Sequence, residues 1–176
     1  MTDIEAILKE KIKPKEKQTR LVEALVIKEI PMAEFIAFFT TAADVDKGTL
    51  ADVMKHVSAK CPDLFFPYID TLIGYVNYKA PRVKWGVPES IGNMAGKYPN
   101  EVAKAIPFLL RNITDEKNNT TVIKWCSAFA LTEIAKFHKE SRKQLMPVFE
   151  KRIAEEVNNG VKNLYVKAKK TIERSK

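Results

Sequence analysis

The chain repeats itself at an offset of 40 residues, and this feature constrains the fold more than any other. Lys84 and Trp85 recur as Lys124 and Trp125, and Ile-Pro-Phe-Leu from residue 106 is matched by Met-Pro-Val-Phe from residue 146. In each copy a proline follows a large apolar residue, at positions 67, 107 and 147, and a weaker fourth copy has Pro31, 36 residues before Pro67. Because the apolar residues between these landmarks do not alternate as in strands, the period predicts pairs of helices that stack.

The helix signals place these pairs along most of the chain. Apolar spacing and polar breaks predict helices over 19–30, 31–42, 49–60, 63–78, 81–98, 100–114, 120–138, 141–158 and 161–175, with a loop at 44–49. Pro88 predicts a kink within its helix, and Gly160 predicts a helix end in the left-handed conformation. We expect a single all-α domain over residues 1–176. It is predicted to be a right-handed α-α superhelix of about four helix pairs, near 19–42, 49–78, 81–116 and 120–158, followed by a basic C-terminal helix at 161–175.

One stretch carries a resemblance to a known family. PRVKWGVPESIGNMAGKYPNEVAKAIPFLLRNITDE, residues 81–116, resembles a HEAT repeat of the armadillo-like helical-repeat superfamily. The family's first helix has an early valine-basic pattern, a kinking proline and an apolar-small-x-apolar-alanine pattern, and its second helix has a proline-apolar-apolar pattern before an acidic turn. Residues 83–116 match every element, 122–149 match most, 49–78 match the second helix, and 19–42 match loosely. The resemblance implies a helical solenoid and leaves its function open.

Composition and charge narrow the classes of function. No apolar run is long enough for a membrane helix and the N-terminus has no signal-peptide core, so we expect a cytoplasmic protein without a membrane contact. The two cysteines are expected to be buried free thiols, and the two histidines lack neighbours at metal-ligand spacing, so neither a metal nor another cofactor is expected. The net charge is +8, and residues 161–176 contribute +5 of it, from six Lys or Arg against one Glu.

Trp85, Glu89 and Trp125 are the candidates for chemistry. Trp85 and Glu89 are four residues apart and therefore share a helix face. DNA alkylation repair glycosylases, which resemble this chain in their helical-repeat architecture, place aromatic and carboxylate side chains in the concavity of such a stack. That resemblance implies an aromatic cradle from the two Trp residues and a carboxylate at Glu89 that stabilises the sugar cation. The alternative is that both Trp residues are wall positions of the repeat, because position 129, equivalent to Glu89, is Phe.

Recurring cations suggest a binding surface. Lys84 and Lys124 occupy equal repeat positions with Arg82 nearby, and a stack would turn them into a ladder with steps of roughly 10 Å, the distance between neighbouring helices. Such a ladder could meet phosphates or carboxylates; the alternative is that the lysine stems only cover apolar surface. The terminal helix adds candidate binding residues, which are Lys167, Lys169 and Lys170.

Since no catalytic motif is present, we interpret the chain as a non-catalytic scaffold or adaptor that binds another protein on a curved helical-repeat surface. Two alternatives stay open. One is nucleic-acid binding through the basic C-terminal segment, with or without glycosylase activity. The other is a homodimer.

Overall fold

The computed structural model describes residues 3–115 and 117–174. Over these ranges the chain is helical and contains no strand, which confirms the all-α prediction. None of the helices in these ranges has the length and apolar content needed to cross a membrane. The α-helices are α1 (Ile4–Lys9), α2 (Pro14–Val26), α3 (Met32–Thr41), α4 (Asp44–Lys60), α5 (Ile69–Gly74), α6 (Pro81–Met94), α7 (Pro99–Ala103), α8 (Ile106–Thr114), α9 (Thr121–Phe137), α10 (Arg142–Glu155) and α11 (Asn159–Arg174). Short 3₁₀ helices precede α5 and α10, at Pro62–Tyr68 and Lys139–Ser141.

Five helices form a continuous row. Helix α2 packs on α4, α4 on α6, α6 on α9 and α9 on α11. The remaining longer helices form a second layer, in which α3 packs on α4, α5 on α6, α8 on α9 and α10 on α11. The three inner row helices, α4, α6 and α9, therefore each bury two flanks and the side facing the second layer, and this accounts for the broad apolar surface of α9.

Glycines set the closest contacts within the row. A Cβ atom added to Gly86 of α6 would lie 2.2 Å from the backbone carbonyl oxygen of Ala51 in α4. A Cβ added to Gly92 would lie 2.7 Å from the Phe129 ring and 3.0 Å from the Cα of Ala130, both in α9. Because neither contact leaves room for a methyl group, these two glycines allow α6 to approach both of its neighbours in the row.

The last helix closes the C-terminal end of the row. Helix α11 buries one stripe against α9 and α10, formed by Val161, Tyr165, Ala168 and Ile172. The Tyr165 ring lies 5.3 Å from the Phe149 ring of α10, and burial raises the pKa of the Tyr165 hydroxyl above its usual range. The structure therefore continues the C-terminal basic helix predicted at 161–175 back to Asn159, and residue 175 lies outside the described residues.

The structure corrects the N-terminal boundaries. Residues 44–49, predicted to be a loop, form the first turns of α4, where Asp44 and Asp46 interact favourably with the helix dipole. The pair predicted near 19–42 begins earlier, because Pro14 is well suited to the first position of α2. Helix α1 was not predicted, although its backbone is capped by the carboxylate of Asp3.

Prolines and a glycine account for the other corrections. The helix predicted at 63–78 is instead a 3₁₀ segment followed by α5, and Pro67 lies in that segment without an N–H group to continue α-helical bonding. The helix predicted at 100–114 is divided into α7 and α8 just before Pro107. Helix α6 continues through Pro88. Gly160 lies in the first turn of α11 and has no positive φ; among the described residues only Lys28 has one, at 62°.

Candidate interaction surface on the helix row

Two hydrogen bonds show which side of the row is accessible. Asn112 of α8 donates to the hydroxyl of Ser127 at 3.1 Å, so the Ser127 side of α9 faces the second layer. Trp125 and Phe129 are each two residues from Ser127, about 200° around the helix, and so lie on the opposite side. In α11, Lys169 pairs with Glu150 of α10 at 2.8 Å. We call the side of α4, α6, α9 and α11 that is turned away from the second layer the row face.

An ionic network joins α4 and α6 on the row face. Arg82 pairs with Asp52, and the ammonium nitrogen of Lys55 lies 3.7 Å from Asp52 and 3.5 Å from Glu89. The Asp52, Lys55 and Glu89 side chains are all less than about one third exposed, since their exposed fractions lie between 17% and 26%. The Asn93 amide donates to the backbone carbonyl of Lys55 at 2.9 Å. Two carboxylates and two cations thus neutralise each other between these helices.

Cys126 extends this network to α9. Its thiol donates to Glu89 Oε1 at 3.3 Å, and the residue is 1% exposed. Burial, followed by the negative charge of Glu89, raises the pKa of the Cys126 thiol well above its usual range. Because the thiolate is the reactive form of cysteine, this thiol is not an activated nucleophile.

Aromatic and aliphatic side chains dominate the α9 part of the row face. The Trp125 and Phe129 rings are 5.8 Å apart and parallel to within 2°. Val122, one turn before Trp125, is 47% exposed. These three residues, at spacing i, i+3 and i+7, share one helix face; we call them the aromatic strip. Apolar surface is therefore accessible along two turns of α9.

Trp85 lies on the same side of α6 as Glu89, as the sequence predicted, and neither Trp is fully exposed. The structure brings Trp85, Glu89 and Trp125 onto one face of adjacent helices. The indole N–H of Trp85 is buried and has no hydrogen-bond acceptor among the described residues. The Glu89 carboxylate is already engaged by Lys55 and Cys126.

The cations predicted to bind a partner differ in their surroundings. Arg82 is paired with Asp52, and Lys84 donates to the side chain of Asn119 at 3.1 Å. The side chain of Lys124, at the equivalent repeat position, makes no hydrogen bond or ion pair within the described part of the chain. The predicted ladder of Lys84 and Lys124 is therefore uneven, because Lys84 holds the loop before α9.

The terminal lysines also divide into two groups. Lys169 is paired with Glu150 and, at 3.9 Å, with Glu173. Lys167 and Lys170 are exposed and have no ionic partner in residues 3–115 and 117–174. Only these two of the predicted terminal cations are free to meet a ligand.

Sequence reasoning missed three members of the ionic network, which are Asp52, Lys55 and Cys126. The usable signal was Lys55, a charged residue at the position where the two better copies of the repeat have Ala95 and Ala135. The spacing of the residues in contact gave no such signal. Cys126 bonds to Glu89 across 37 residues, and Asp52 precedes Glu89 by the same number. The sequence repeat, in contrast, has a period of 40.

No group of three or more His, Cys, Asp or Glu side chains within the described ranges is arranged to hold a metal ion. Comparison with known proteins gives no assignment: no family model matches the chain, and neither a curated protein nor a solved structure does.

Proposed function

We propose that the protein is a non-catalytic scaffold of the HEAT-repeat type, a right-handed helical solenoid that binds another protein on its row face. The continuous row from α2 to α11 and its second layer support the solenoid. So does the burial pattern, which is the same at every position of 81–95 and of 121–135. Stacked repeats generally build extended binding surfaces of this kind.

The balance of charge beside the aromatic strip favours a protein partner over a nucleic acid. From α4 to α9, Arg82 is matched by Asp52 and Lys55 by Glu89. In α9 itself Lys136 is matched by Glu133, at 2.5 Å. A surface that binds phosphates needs an excess of cations, which this part of the row face lacks. Partly exposed aromatic residues within a charge-balanced surface, such as Trp125 and Phe129, are typical of protein interfaces.

The chemistry of the same residues favours binding over catalysis. A carboxylate that stabilises a sugar cation needs its negative charge, but the Glu89 charge is offset by the Lys55 ammonium. Cys126, the only thiol in the network, is buried and protonated. These contacts suit a rigid support for the aromatic strip.

A glycosylase of the alkylation-repair type is the second candidate. The position of Trp85, Glu89 and Trp125 on one face of adjacent helices favours this activity. An aromatic cradle and a carboxylate would then face the same ligand. Incubation with a duplex containing an alkylated base tests this activity. Base release that is lost in Glu89→Gln and Trp125→Ala would support the glycosylase and contradict the scaffold proposal.

A photocrosslinking experiment tests protein binding. The photoreactive residue p-benzoylphenylalanine replaces Val122 in the aromatic strip or, as a control, Val157, which is 93% exposed before α11. We expect a discrete protein adduct from position 122 only. The captured protein, purified, should bind the wild type and lose at least about tenfold in affinity for Trp125→Ala, the loss expected of a central aromatic contact.

The salt dependence of binding distinguishes the scaffold proposal from nucleic-acid binding. Binding to the captured protein should weaken little with salt, because apolar contacts dominate the strip. If duplex DNA binds more tightly than any captured protein, and weakens steeply with salt, phosphate contacts are responsible and the scaffold proposal fails.

A further inference from the structure

The charge balance of the row face changes at its last helix. From α4 to α9 the ion pairs described above match cations with carboxylates. In α11 three exposed cations, Lys167, Lys170 and Arg174, have no carboxylate partner among the described residues. The only acidic residue of this helix within the structure, Glu173, is engaged by Lys169. Helix α11 is thus the one part of the row face with a clear excess of positive charge.

These cations form one stripe, which we call the basic stripe. Their spacing is i, i+3 and i+7, so they share a face that extends over roughly 10 Å of helix. Lys169 marks the side of α11 that contacts α10, and Lys167 lies about 200° from it. The basic stripe is therefore on the accessible side of α11, opposite the buried stripe of Tyr165 and Ile172.

The aromatic strip and the basic stripe are neighbours. Helix α11 packs directly against α9, and packed helices have axes about 8–10 Å apart. Trp125 and Phe129 are turned away from the second layer in the same way as Lys167, because each is two residues from a side chain bonded to that layer. One ligand segment can consequently contact apolar surface on α9 and cations on α11.

We infer that this pair of surfaces binds an acidic amphipathic segment of a partner protein. The segment's apolar side chains pack on Val122, Trp125 and Phe129, and its carboxylates face Lys167, Lys170 and Arg174. The inference rests on the proposed protein-binding function and adds the chemical class of the partner. Charge complementarity supplies specificity here, while the aromatic strip supplies most of the affinity.

A nucleic acid fits the two surfaces less well. Glu89 and Glu133 lie beside the aromatic strip and neutralise Lys55 and Lys136, so this part of the row face offers a phosphate chain no excess of positive charge. Trp125 and Phe129 already stack on each other, which leaves less ring surface for bases, and Val122 offers a base no ring to stack on. A second copy of the chain is also disfavoured, because each copy carries a net charge of +8 and would present another basic stripe.

Selection from a displayed library of random 16-residue peptides against the full chain tests the inference. We expect the enriched peptides to combine apolar residues with a net negative charge. Charge reversal in Lys167→Glu, Lys170→Glu and Arg174→Glu together should shift the enriched peptides to net positive charge. An acidic peptide from the first selection should bind this variant at least about tenfold more weakly than the wild type, since several charge contacts are lost together.

The matched control reverses three other exposed lysines, Lys11, Lys13 and Lys15, near α1 and the start of α2. It changes the net charge equally and should leave peptide affinity within about twofold, since charges this distant are screened by salt. If the α11 reversal disturbs the helical circular dichroism, the corresponding Gln variant replaces it, because neutralisation should also weaken the acidic peptide several-fold.

Several results would overturn the inference. Enriched peptides without acidic excess that still require Trp125 would leave the scaffold proposal intact and contradict the basic stripe as a specificity element. Equal losses in the α11 and control variants would show general charge attraction. If no peptide is enriched, a peptide ligand is contradicted altogether. The same holds if a 16-nucleotide oligothymidine binds α11 more tightly than any recovered peptide.

Discussion

Helices α6 and α9 occupy equivalent places in the row yet expose different chemistry. Each of the fifteen residues from 81 to 95 is buried, half-buried or exposed in the same way as the residue 40 positions later. The residues at those positions differ: α6 presents Glu89 within an ionic network, whereas α9 presents Phe129 stacked on Trp125. The repeated fold therefore fixes which positions are accessible, and the individual residue decides whether that position binds ions or apolar surface.

The packing contacts of α6 and α9 with their neighbours also differ between equivalent positions. Gly86 brings α6 against the backbone of α4, while Cys126 occupies the equivalent place in α9. Gly92 brings α6 against the side chain of Phe129. Backbone contacts cannot adjust as side chains can, so the α4–α6 junction should tolerate change less than the α6–α9 junction.

The largest effect is expected at Gly86. In Gly86→Ala the new methyl group meets the Ala51 carbonyl, so the helices must move apart, and the free energy of unfolding should fall by about 3 kcal/mol. Urea denaturation followed by circular dichroism measures it. Gly74→Ala is the matched control, because an added Cβ has no neighbour within 4 Å there, and its change should stay within about 0.5 kcal/mol. Equal effects at the two glycines would show that no special close approach exists at Gly86.

A smaller loss is expected at Gly92. The methyl group of Gly92→Ala chiefly meets the Phe129 ring, which can shift, so the cost should be about 1–2 kcal/mol. The same substitution in a Phe129→Ala background should cost less, and the double-mutant cycle reports the difference. A cost that is unchanged without the ring would place the conflict at the Ala130 backbone instead.

Removal of Lys55 should be mildly destabilising. In Lys55→Met the carboxylates of Asp52 and Glu89 lose the cation between them, with an expected cost of about 1 kcal/mol, reduced by partial exposure. The further changes Asp52→Asn and Glu89→Gln should recover most of it. Lys136→Met, which breaks the local pair with Glu133 in α9, should cost only about 0.3 kcal/mol. A larger loss from Lys136→Met would reverse the contrast between the two helices.

The equivalent residues Lys84 and Lys124 should differ slightly. Lys84→Ala removes the hydrogen bond to Asn119 and should cost about 0.5–1 kcal/mol. Lys124→Ala removes no such bond and should remain within about 0.5 kcal/mol of the wild type. Thermal unfolding of the two variants side by side measures the difference, and indistinguishable midpoints would show that the Lys84 bond contributes nothing.

The smallest effect is expected at the ends of the two helices. After α6, Lys97 and Tyr98 donate to Asp63, and these hydrogen bonds hold the pKa of the Asp63 carboxyl below its ordinary value of 3.8. The corresponding residues at the end of α9 are Phe137 and His138, and His138 accepts instead from the backbone N–H of Ser141. Because the folded pKa of Asp63 is depressed, its stabilisation is complete above the unfolded pKa and is lost as pH falls through the folded value.

Asp63→Asn should therefore approach the wild type in stability as the pH is lowered from 6 toward 2. Unfolding free energies across this range, measured for Asp63→Asn and Lys97→Met, test the assignment. A difference from the wild type that stays constant with pH in both variants would show that the ionised carboxylate adds no pH-dependent stability.

Much of the fold followed from local patterns. The sequence predicted the helical class and most of the longer helices, because apolar periodicity reports directly on which side of a helix is buried. It placed Trp85 and Glu89 on one face of α6 for the same reason. It failed where the cues were ambiguous: Asp44 and Gly48 are typical of loops, yet they begin α4, where Gly48 permits contact with the side chain of Arg82.

The sequence repeat determined which positions are accessible, but not which side chains meet there. The 40-residue repeat sets which positions are buried, since each copy meets its neighbours in the same manner. Which side chains meet across the row depends on how far one helix is shifted along the next, and the tertiary structure sets this by close packing at Gly86 and Gly92. That shift brings Glu89 to Cys126 and Lys55, at separations of 37 and 34 residues. No local pattern encodes the shift, because it results from the packing of whole helices.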